Sequence, residues 1–138
     1  MAEKTVELDS SAGIPSCEII FGQAQFGKYQ TFLWDHTGHN PRLVCTGTND
    51  DAISDVFPIR DSNCETETGT INSVNDLDQL IFSWEVIVAA IASGPGQLYR
   101  VTVNILQKGQ VVPNGSFSYK GALDTSELVY DHVRLVLQ

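Results

Sequence analysis

The stretch from Leu80 to Gly121 constrains the fold most, because its first half fits two different structures. A helix is indicated by Asn75 as an N-cap, by apolar residues that share one helical face, and by Gly94-Pro95 as a stop signal. A strand is indicated by alternation, since every even-numbered position from Leu80 to Ala92 is apolar. The two readings lead to different fold classes.

The residues that follow favour the strand. From Tyr99 to Ile105 apolar and polar residues alternate without interruption, which is typical of a half-buried strand. The loop from Ser93 to Gly96 has a suitable length to fold the first run back onto the second. We therefore predict a long antiparallel hairpin, with a helix over Asp76 to Ser93 as the alternative.

Turn signals and short apolar runs alternate along the rest of the chain. Two further turns are predicted at Lys108-Gly109 and at Pro113 to Gly115. This spacing predicts roughly nine or ten strands, hence an all-β protein: a single antiparallel β-sandwich over residues 1–138, of immunoglobulin-like or jelly-roll type. The other strand-like runs are 5–8, 17–21, 29–36, 42–46, an edge strand within 51–59, and 128–137.

Charge and hydropathy narrow the choice of partners and compartment. The chain of 138 residues carries 17 acidic and 8 basic residues, a net charge of −9. Such a surface repels nucleic acid and anionic lipid. No apolar run approaches the ~18 residues of a membrane span, so no membrane insertion is expected. The N-terminus does not resemble a secretory signal, which predicts a cytoplasmic protein; export by another route or a trimmed sequence stays open.

The three cysteines do not indicate a disulfide framework. Cys17 and Cys45 lie in apolar runs, where a small buried thiol is the usual explanation. Cys64 lies in a polar stretch beside carboxylates, which argues against a reactive thiolate.

An acidic loop is the first candidate site. Asn49, Asp50 and Asp51 are followed by Asp55, and Asp61 or Asp124 could join them from other loops. Calcium takes six to eight oxygen ligands, which clustered carboxylates and amides can supply. The alternative is an Asx-rich turn that satisfies its own backbone. Calcium, bound by Asp50, Asp51 and Asp55, is therefore the metal considered for this loop. No other cofactor is expected.

A pair of histidines is the second candidate. His36 and His39 flank a glycine turn, and a third ligand to zinc or nickel could come from Asp35, or from Asp131 and His132 of the last strand. Nothing in a turn holds both rings on one side, so two solvent-exposed histidines are the alternative reading.

Aromatic residues are the third candidate, because flat rings can stack on sugars. Trp34 shares a strand face with Phe32, and Phe26 is expected in a loop between two strands. Trp84, in contrast, lies on the apolar face of its strand and is predicted to be core. Phe26, Trp34, Asn49, Asp50 and Asp51 are therefore the candidate ligand-binding residues.

Signatures of catalysis are lacking in the sequence, which contains no Gly-x-Ser-x-Gly elbow and no phosphate loop. The favoured hypothesis is a non-catalytic binding module whose loops or sheet edge contact a protein partner or another copy of itself, with homo-oligomers as one outcome. The alternative is a lectin-like domain that binds a glycan, with or without calcium. A small metal-dependent hydrolase using His36, His39 and Asp131 is the third.

Overall fold

Two β-sheets pack face to face in the computed structural model, which describes residues 3–22, 25–48, 54–61, 71–90, 97–123 and 126–138. This part of the chain contains nine strands and one short 3-10 helix, Val74–Leu77. The strands are β1 (Thr5–Leu8), β2 (Ser16–Phe21), β3 (Gln25–Trp34), β4 (Arg42–Thr48), β5 (Ser54–Pro58), β6 (Ile81–Ala90), β7 (Gln97–Gln107), β8 (Gln110–Leu123) and β9 (Ser126–Leu137).

The strands divide into a five-stranded sheet of order β1-β9-β6-β3-β4 and a four-stranded sheet of order β5-β2-β7-β8. Neighbouring strands are antiparallel, except that β1 runs parallel to β9. The predicted all-β, antiparallel-dominated sandwich is therefore confirmed. The predicted edge strand near Pro58 is confirmed as β5, whose position allows a residue without an N–H donor.

The core lies between the sheets and follows the alternation of the sequence. Even positions of β6 from Phe82 to Val88 are buried, and so are odd positions of β7 from Tyr99 to Ile105. Trp84 is fully buried and its ring lies 5.2 Å from that of Phe117. The prediction that Trp84 belongs to the core is thus confirmed.

The predicted hairpin between the two halves of the 80–121 segment is wrong. Both halves are strands, but β6 pairs with β3 and β9, whereas β7 pairs with β2 and β8 in the other sheet. The chain crosses from one sheet to the other between them. Alternation shows that a segment is a strand, but it carries no information about which sheet the strand joins.

Two other local predictions are also corrected. Pro113 to Gly115 is not a turn between strands but an irregularity within β8, opposite a register shift between Asn104 and Leu106 of β7. Phe26 is not in a loop, because the backbone of β3 begins at Gln25. Its side chain lies outside what the structure describes.

The described residues between β5 and β6, 59–61 and 71–80, are anchored by a few buried side chains. Ile71, Val74 and Leu77 are buried in the core. Asp61 is also buried; it accepts hydrogen bonds from Arg42 Nη1 at 3.3 Å and from the Ile71 N–H at 3.1 Å. In the described residues, no helix has the length and apolar character required to cross a membrane.

The two described cysteines differ in covalent state. Cys17 is a free thiol in the core, and burial raises its pKa. Cys45 is disulfide-bonded, so the expectation of a buried thiol at this position is wrong. Its partner lies outside the described residues, and an apolar context by itself does not distinguish a thiol from half of a disulfide.

Candidate functional site

A group of apolar and aromatic side chains lies on the outward side of the five-stranded sheet, and we call this group the aromatic face. Its residues alternate with the buried ones along each strand, so Trp34 is outward where Leu33 is buried, and Tyr130 is outward where Val129 is buried. The members of this face are Phe32, Trp34, Leu43, Ile81, Ile87, Leu128, Tyr130 and His132.

Strand pairing brings these side chains into contact distance across β3, β6 and β9. Trp34 is registered with Ile81, and Ile87 is registered with Leu128. Among the described residues, four of the seven exposed large hydrophobic side chains lie here: Leu43, Ile87, Leu128 and Tyr130. Leu128 is 60% exposed and Tyr130 is 51% exposed. Exposed apolar side chains concentrated on one face often mark an interaction site.

A shallow groove of about 190 Å³ lies at one end of the aromatic face. It is lined by Trp34, Gly38, Ile81, Tyr130 and His132. The Trp34 ring is held in place because its Nε1 donates to Ser83 Oγ at 2.8 Å. Tyr130 and His132 form the opposite wall, with their ring centroids 6.4 Å apart.

The turn after β3 closes this end of the groove. Asp35 Oδ1 accepts hydrogen bonds from the Thr37 hydroxyl at 2.6 Å and from the His39 N–H at 2.9 Å. The Thr37 hydroxyl, the His39 N–H and the Asn40 side chain together hold the pKa of Asp35 well below its usual value. Gly38 has φ +82°, a conformation that suits glycine. The Asp35 carboxylate thus fixes the loop that contributes Gly38 to the groove.

The predicted histidine metal site is not assembled in the described residues. His36 and His39 are exposed in the turn, and no three His, Cys, Asp or Glu side chains of the described ranges group as metal ligands. Asp131 and His132 are adjacent on β9, so they point to opposite sides of the sheet. The arrangement matches the alternative reading of exposed turn histidines.

Asp131 is instead part of a polar cluster between the sheets. Tyr119 Oη donates to Asp131 Oδ2 at 2.7 Å and accepts from Trp84 Nε1 at 3.2 Å, and Lys4 forms an ion pair with the same carboxylate. Burial would raise the pKa of Asp131, but the hydrogen bonds from Lys4 and Tyr119 outweigh it and lower the pKa. Burial and the Asp131 hydrogen bond raise the pKa of Tyr119. This carboxylate therefore stabilises the fold.

The predicted acidic loop is placed only in part. Asn49, Asp50 and Asp51 lie outside the described residues. Asp55 lies on β5 and accepts a hydrogen bond from Tyr29 Oη at 3.0 Å, beneath a Tyr29–Phe57 ring stack. Asp61 is engaged by Arg42 and the Ile71 N–H, as described above. Both described carboxylates thus have structural partners, and calcium binding stays a prediction.

Sequence reasoning named Trp34 as a ligand-binding residue, but it named His132 only as a possible metal ligand and did not assign Tyr130 to a site. The signal was available in the run 128–137, because valine and leucine recur at odd-numbered positions from Val129 to Leu137. The complementary positions, Tyr130 and His132, then lie on the other face by period-2 alternation. What the sequence lacked was the neighbouring strand, since Trp34 and Tyr130 meet only through the pairing of both β3 and β9 with β6.

No family model, no curated protein and no solved structure matches this chain. What the chain does must therefore be inferred from its own residues.

Proposed function

We propose that the protein is a non-catalytic binding module that associates with a second copy of itself through the aromatic face. The observation that carries the proposal is the concentration of exposed apolar side chains on this face, with Ile87 and Leu128 adjacent and Tyr130 beside them. Their removal from water on association is favourable by about 25 cal/mol per Å² of apolar area.

The size of the face suits a dimer. Five strands spaced about 4.8 Å apart and about nine residues long present roughly 24 Å by 30 Å in projection. This is close to the ~800 Å² per partner that a stable interface buries. Lys28 and Glu85 both lie on this side of the sheet, so a two-fold arrangement could pair the lysine of one copy with the glutamate of the other.

Sedimentation velocity over a range of protein concentrations tests this proposal. The wild type is expected to shift from monomer to dimer as concentration rises, whereas Leu128→Lys is expected to stay monomeric because the new charge would be buried. Val56→Lys is the matched control, since Val56 is 59% exposed on the other sheet. A wild type that remains monomeric at millimolar concentration, or equal dimerisation of Leu128→Lys, would contradict the proposal.

Salt should strengthen the association. Each copy carries a net charge of −9, so two copies repel each other at low ionic strength. Screening shortens the range of this repulsion from about 30 Å at 0.01 M to about 8 Å at 0.15 M salt. Dimerisation held mainly by ion pairs would instead weaken with salt, which is the opposite result.

A carbohydrate ligand is the second candidate, and the groove favours it. A sugar ring could stack on Trp34 or Tyr130 while its hydroxyls reach the polar atoms of His132 and the adjoining turn. A glycan array with the wild type and with Tyr130→Ala, each with and without calcium, tests this. Binding that is lost in Tyr130→Ala supports the groove, and a blank array in both conditions eliminates it. A rise in melting temperature with calcium would support the acidic loop separately.

The cellular compartment is the remaining open prediction. Contrary to the cytoplasmic location expected in the sequence analysis, the disulfide at Cys45 favours an oxidising setting, since cytosolic glutathione keeps most thiols reduced. We infer that the protein works where disulfides persist. Fractionation of the source cells followed by thiol labelling tests this: a fully reduced protein in the cytoplasm would restore the first expectation.

A further inference from the structure

Strands β8 and β9 each have a backbone edge that no other strand of the described ranges covers. β8 is the last strand of its sheet, and β1 pairs with β9 only from Arg134 to Leu137. An open edge presents N–H and C=O groups to which another strand can add. The residues that present these groups can be identified from hydrogen bonds at the strand ends.

In β9, the even-numbered residues direct their backbone groups to the open edge. The Arg134 N–H donates to the Lys4 carbonyl beside β1 at 2.9 Å, so it points to this edge. The Leu135 N–H points the other way, toward the chain just before β6. These directions alternate along a strand, and the pairing of β6 with β9 has no register shift. The N–H and C=O groups of Leu128 and Tyr130 therefore point to the open edge.

The open edge of β8 is identified in the same way. The Arg100 carbonyl of β7 accepts from the Gly22 N–H at 2.9 Å, so the backbone groups of Arg100 point to β2. Arg100 is registered with Lys120 of β8. Opposite residues of an antiparallel pair point either toward each other or away from each other. The N–H and C=O groups of Lys120 and Ser118 therefore point away from β7.

A cleft of about 480 Å³ lies between these two open edges, and we call it the edge cleft. Its rim is formed by the four residues with edge-directed backbone groups, and its floor is formed by three side chains that point between the sheets. The lining residues are Ser118, Lys120, Leu128 and Tyr130 at the rim and Tyr99, Tyr119 and Val129 at the floor. A strand that pairs at the rim would thus place every second side chain over an aromatic floor.

Tyr99 at the floor has an unused hydrogen-bonding group. Its side chain is only 9% exposed, and its hydroxyl forms no hydrogen bond with the described part of the chain. A buried tyrosine hydroxyl usually has a partner. A Cβ atom at Gly121 would lie 2.8 Å from Tyr99 Cε2 and 3.2 Å from Oη, so the end of the ring lies over this glycine of the edge strand. A chain bound in the cleft could supply the missing partner.

Charge indicates the chemistry of that chain. Glu127 precedes the rim, is exposed, and forms no ion pair within the described residues. Asp131, which follows the rim, is already paired with Lys4. The net charge of −9 also favours a basic partner. A second copy fits this edge poorly, because a two-fold axis through Val129 would place Glu127 opposite Asp131 of the second copy.

We propose that an extended segment of a partner protein, apolar at every second residue and flanked by lysine or arginine, adds to the open edge of β9. Its inward side chains contact Tyr99 and Tyr119, and its outward side chains lie beside Leu128 and Tyr130. Backbone hydrogen bonds supply affinity, and the alternating side chains supply specificity. This contact uses the edge of the five-stranded sheet, whereas the proposed dimer uses its face.

The peptide acetyl-KKVTITVTKK-amide, titrated into the full chain, tests the proposal by calorimetry and two-dimensional NMR. Saturable shifts are expected at the amides of Leu128 and Tyr130. Two N-methylated versions are compared, one methylated at the threonines and the other at the valines and the isoleucine. Alternate N–H groups of a strand point to opposite sides, so one version should bind about tenfold weaker or worse, and the other should bind like the parent peptide.

Charge is tested on both partners. Glu127→Gln should weaken binding of the lysine-flanked peptide about two- to fivefold, as expected for an exposed ion pair. Glu18→Gln is the matched control, because Glu18 lies on the outer side of the other sheet and glutamine can still accept the hydrogen bond from Asn104. The same peptide with glutamate in place of its lysines should bind more weakly than either.

Three results would overturn the proposal: no saturable shift in a wild type with a normal melting curve, equal binding of both N-methylated peptides and the parent, or equal binding of the scrambled peptide acetyl-KKTTVIVTKK-amide. Leu43→Lys lies on β4, far from the edge of β9, and should weaken the proposed dimer while it keeps peptide binding, so the two proposals fail separately. A dimer of Leu43→Lys that the peptide dissociates would make a second copy the occupant instead.

Discussion

Several polar groups that are buried in the apolar core are paired with one another by hydrogen bonds. Trp84 is fully buried, and its one donor is satisfied by Tyr119, whose own hydroxyl proton goes to Asp131. Thr31 is buried at the register shift of β3, where its hydroxyl donates to the Cys45 carbonyl at 3.1 Å. Buried polar groups are costly only when they lack partners, and these have them.

Tyr119→Phe should destabilise the fold by about 1–3 kcal/mol, because it leaves the buried Trp84 N–H without its acceptor and removes one donor from Asp131. Chemical denaturation monitored by tryptophan fluorescence measures the change. Tyr130→Phe is the control, since Tyr130 is half exposed and its change should stay within about 0.5 kcal/mol. Equal effects of the two substitutions would show that the cluster does not stabilise the fold.

Asp35→Asn should lower the melting temperature at neutral pH and have less effect in acid. The folded-state pKa of Asp35 lies below its unfolded value, so its charge stabilises the fold fully above about pH 4. This stabilisation is lost as the pH falls through the lower, folded-state pKa. Melting curves from pH 7 down to pH 2 should therefore converge for the two proteins. A difference in melting temperature that stays constant from pH 7 to pH 2 would mean that the charge of Asp35 does not contribute to stability.

At the scale of strands, the sequence predicts local structure better than it predicts partners. Alternation correctly identified β6 and β7 as strands, because burial of every second side chain leaves a direct trace in the residue order. Alternation did not reveal that β6 and β7 join different sheets, because each strand buries one face whether or not the two strands pair with each other. Pro113 to Gly115 has the composition of a turn, yet β8 continues through it, because tertiary pairing with β7 resumes at Ser116.

The turn between β7 and β8 offers a stabilising substitution. Lys108 has φ +54° and Gly109 has φ +73°, the left-handed pair that a two-residue hairpin requires. Lys108→Asn should stabilise the fold by about 0.5–1 kcal/mol, because asparagine tolerates this conformation better than lysine.

Lys108→Ala is the control for that substitution, because it removes the charge while keeping a residue that disfavours the left-handed region. Denaturation midpoints rank the wild type, Lys108→Asn and Lys108→Ala by stability. Stabilisation by alanine equal to that by asparagine would assign the effect to charge instead of backbone conformation.

At the scale of the whole molecule, the two outward sheet faces carry different chemistry. One presents Trp34, Tyr130, Ile87 and Leu128, and the other presents the Arg100–Lys120 pair. The sequence predicted Trp34 as a candidate, but the partners of Trp34 arrive from strands far away in the chain. The acidic loop was equally conspicuous in sequence, yet its described member Asp55 bonds to Tyr29. Composition identifies chemical groups, whereas only topology shows which of them meet.

Counting thiols tests the covalent state of the folded chain. There are three cysteines, Cys17 is free, and Cys45 is disulfide-bonded, so one thiol should react with an alkylating reagent after denaturation without reductant. Three thiols should react once the disulfide has been reduced. Mass spectrometry measures both numbers, and Cys17→Ser should lower the first count to zero. Three reactive thiols in the unreduced protein from an oxidising expression host would contradict this assignment.

The parallel pairing of β1 with β9 has a consequence for how the chain is made. Thr5 pairs with Arg134, so the first strand waits for a partner that the ribosome adds about 130 residues later. The five-stranded sheet therefore cannot close until β9 has been made, and at 5–20 residues per second β1 waits roughly 6 to 26 s for it. During that interval Val6 and Leu8, which end fully buried, remain available to chaperones or to neighbouring chains.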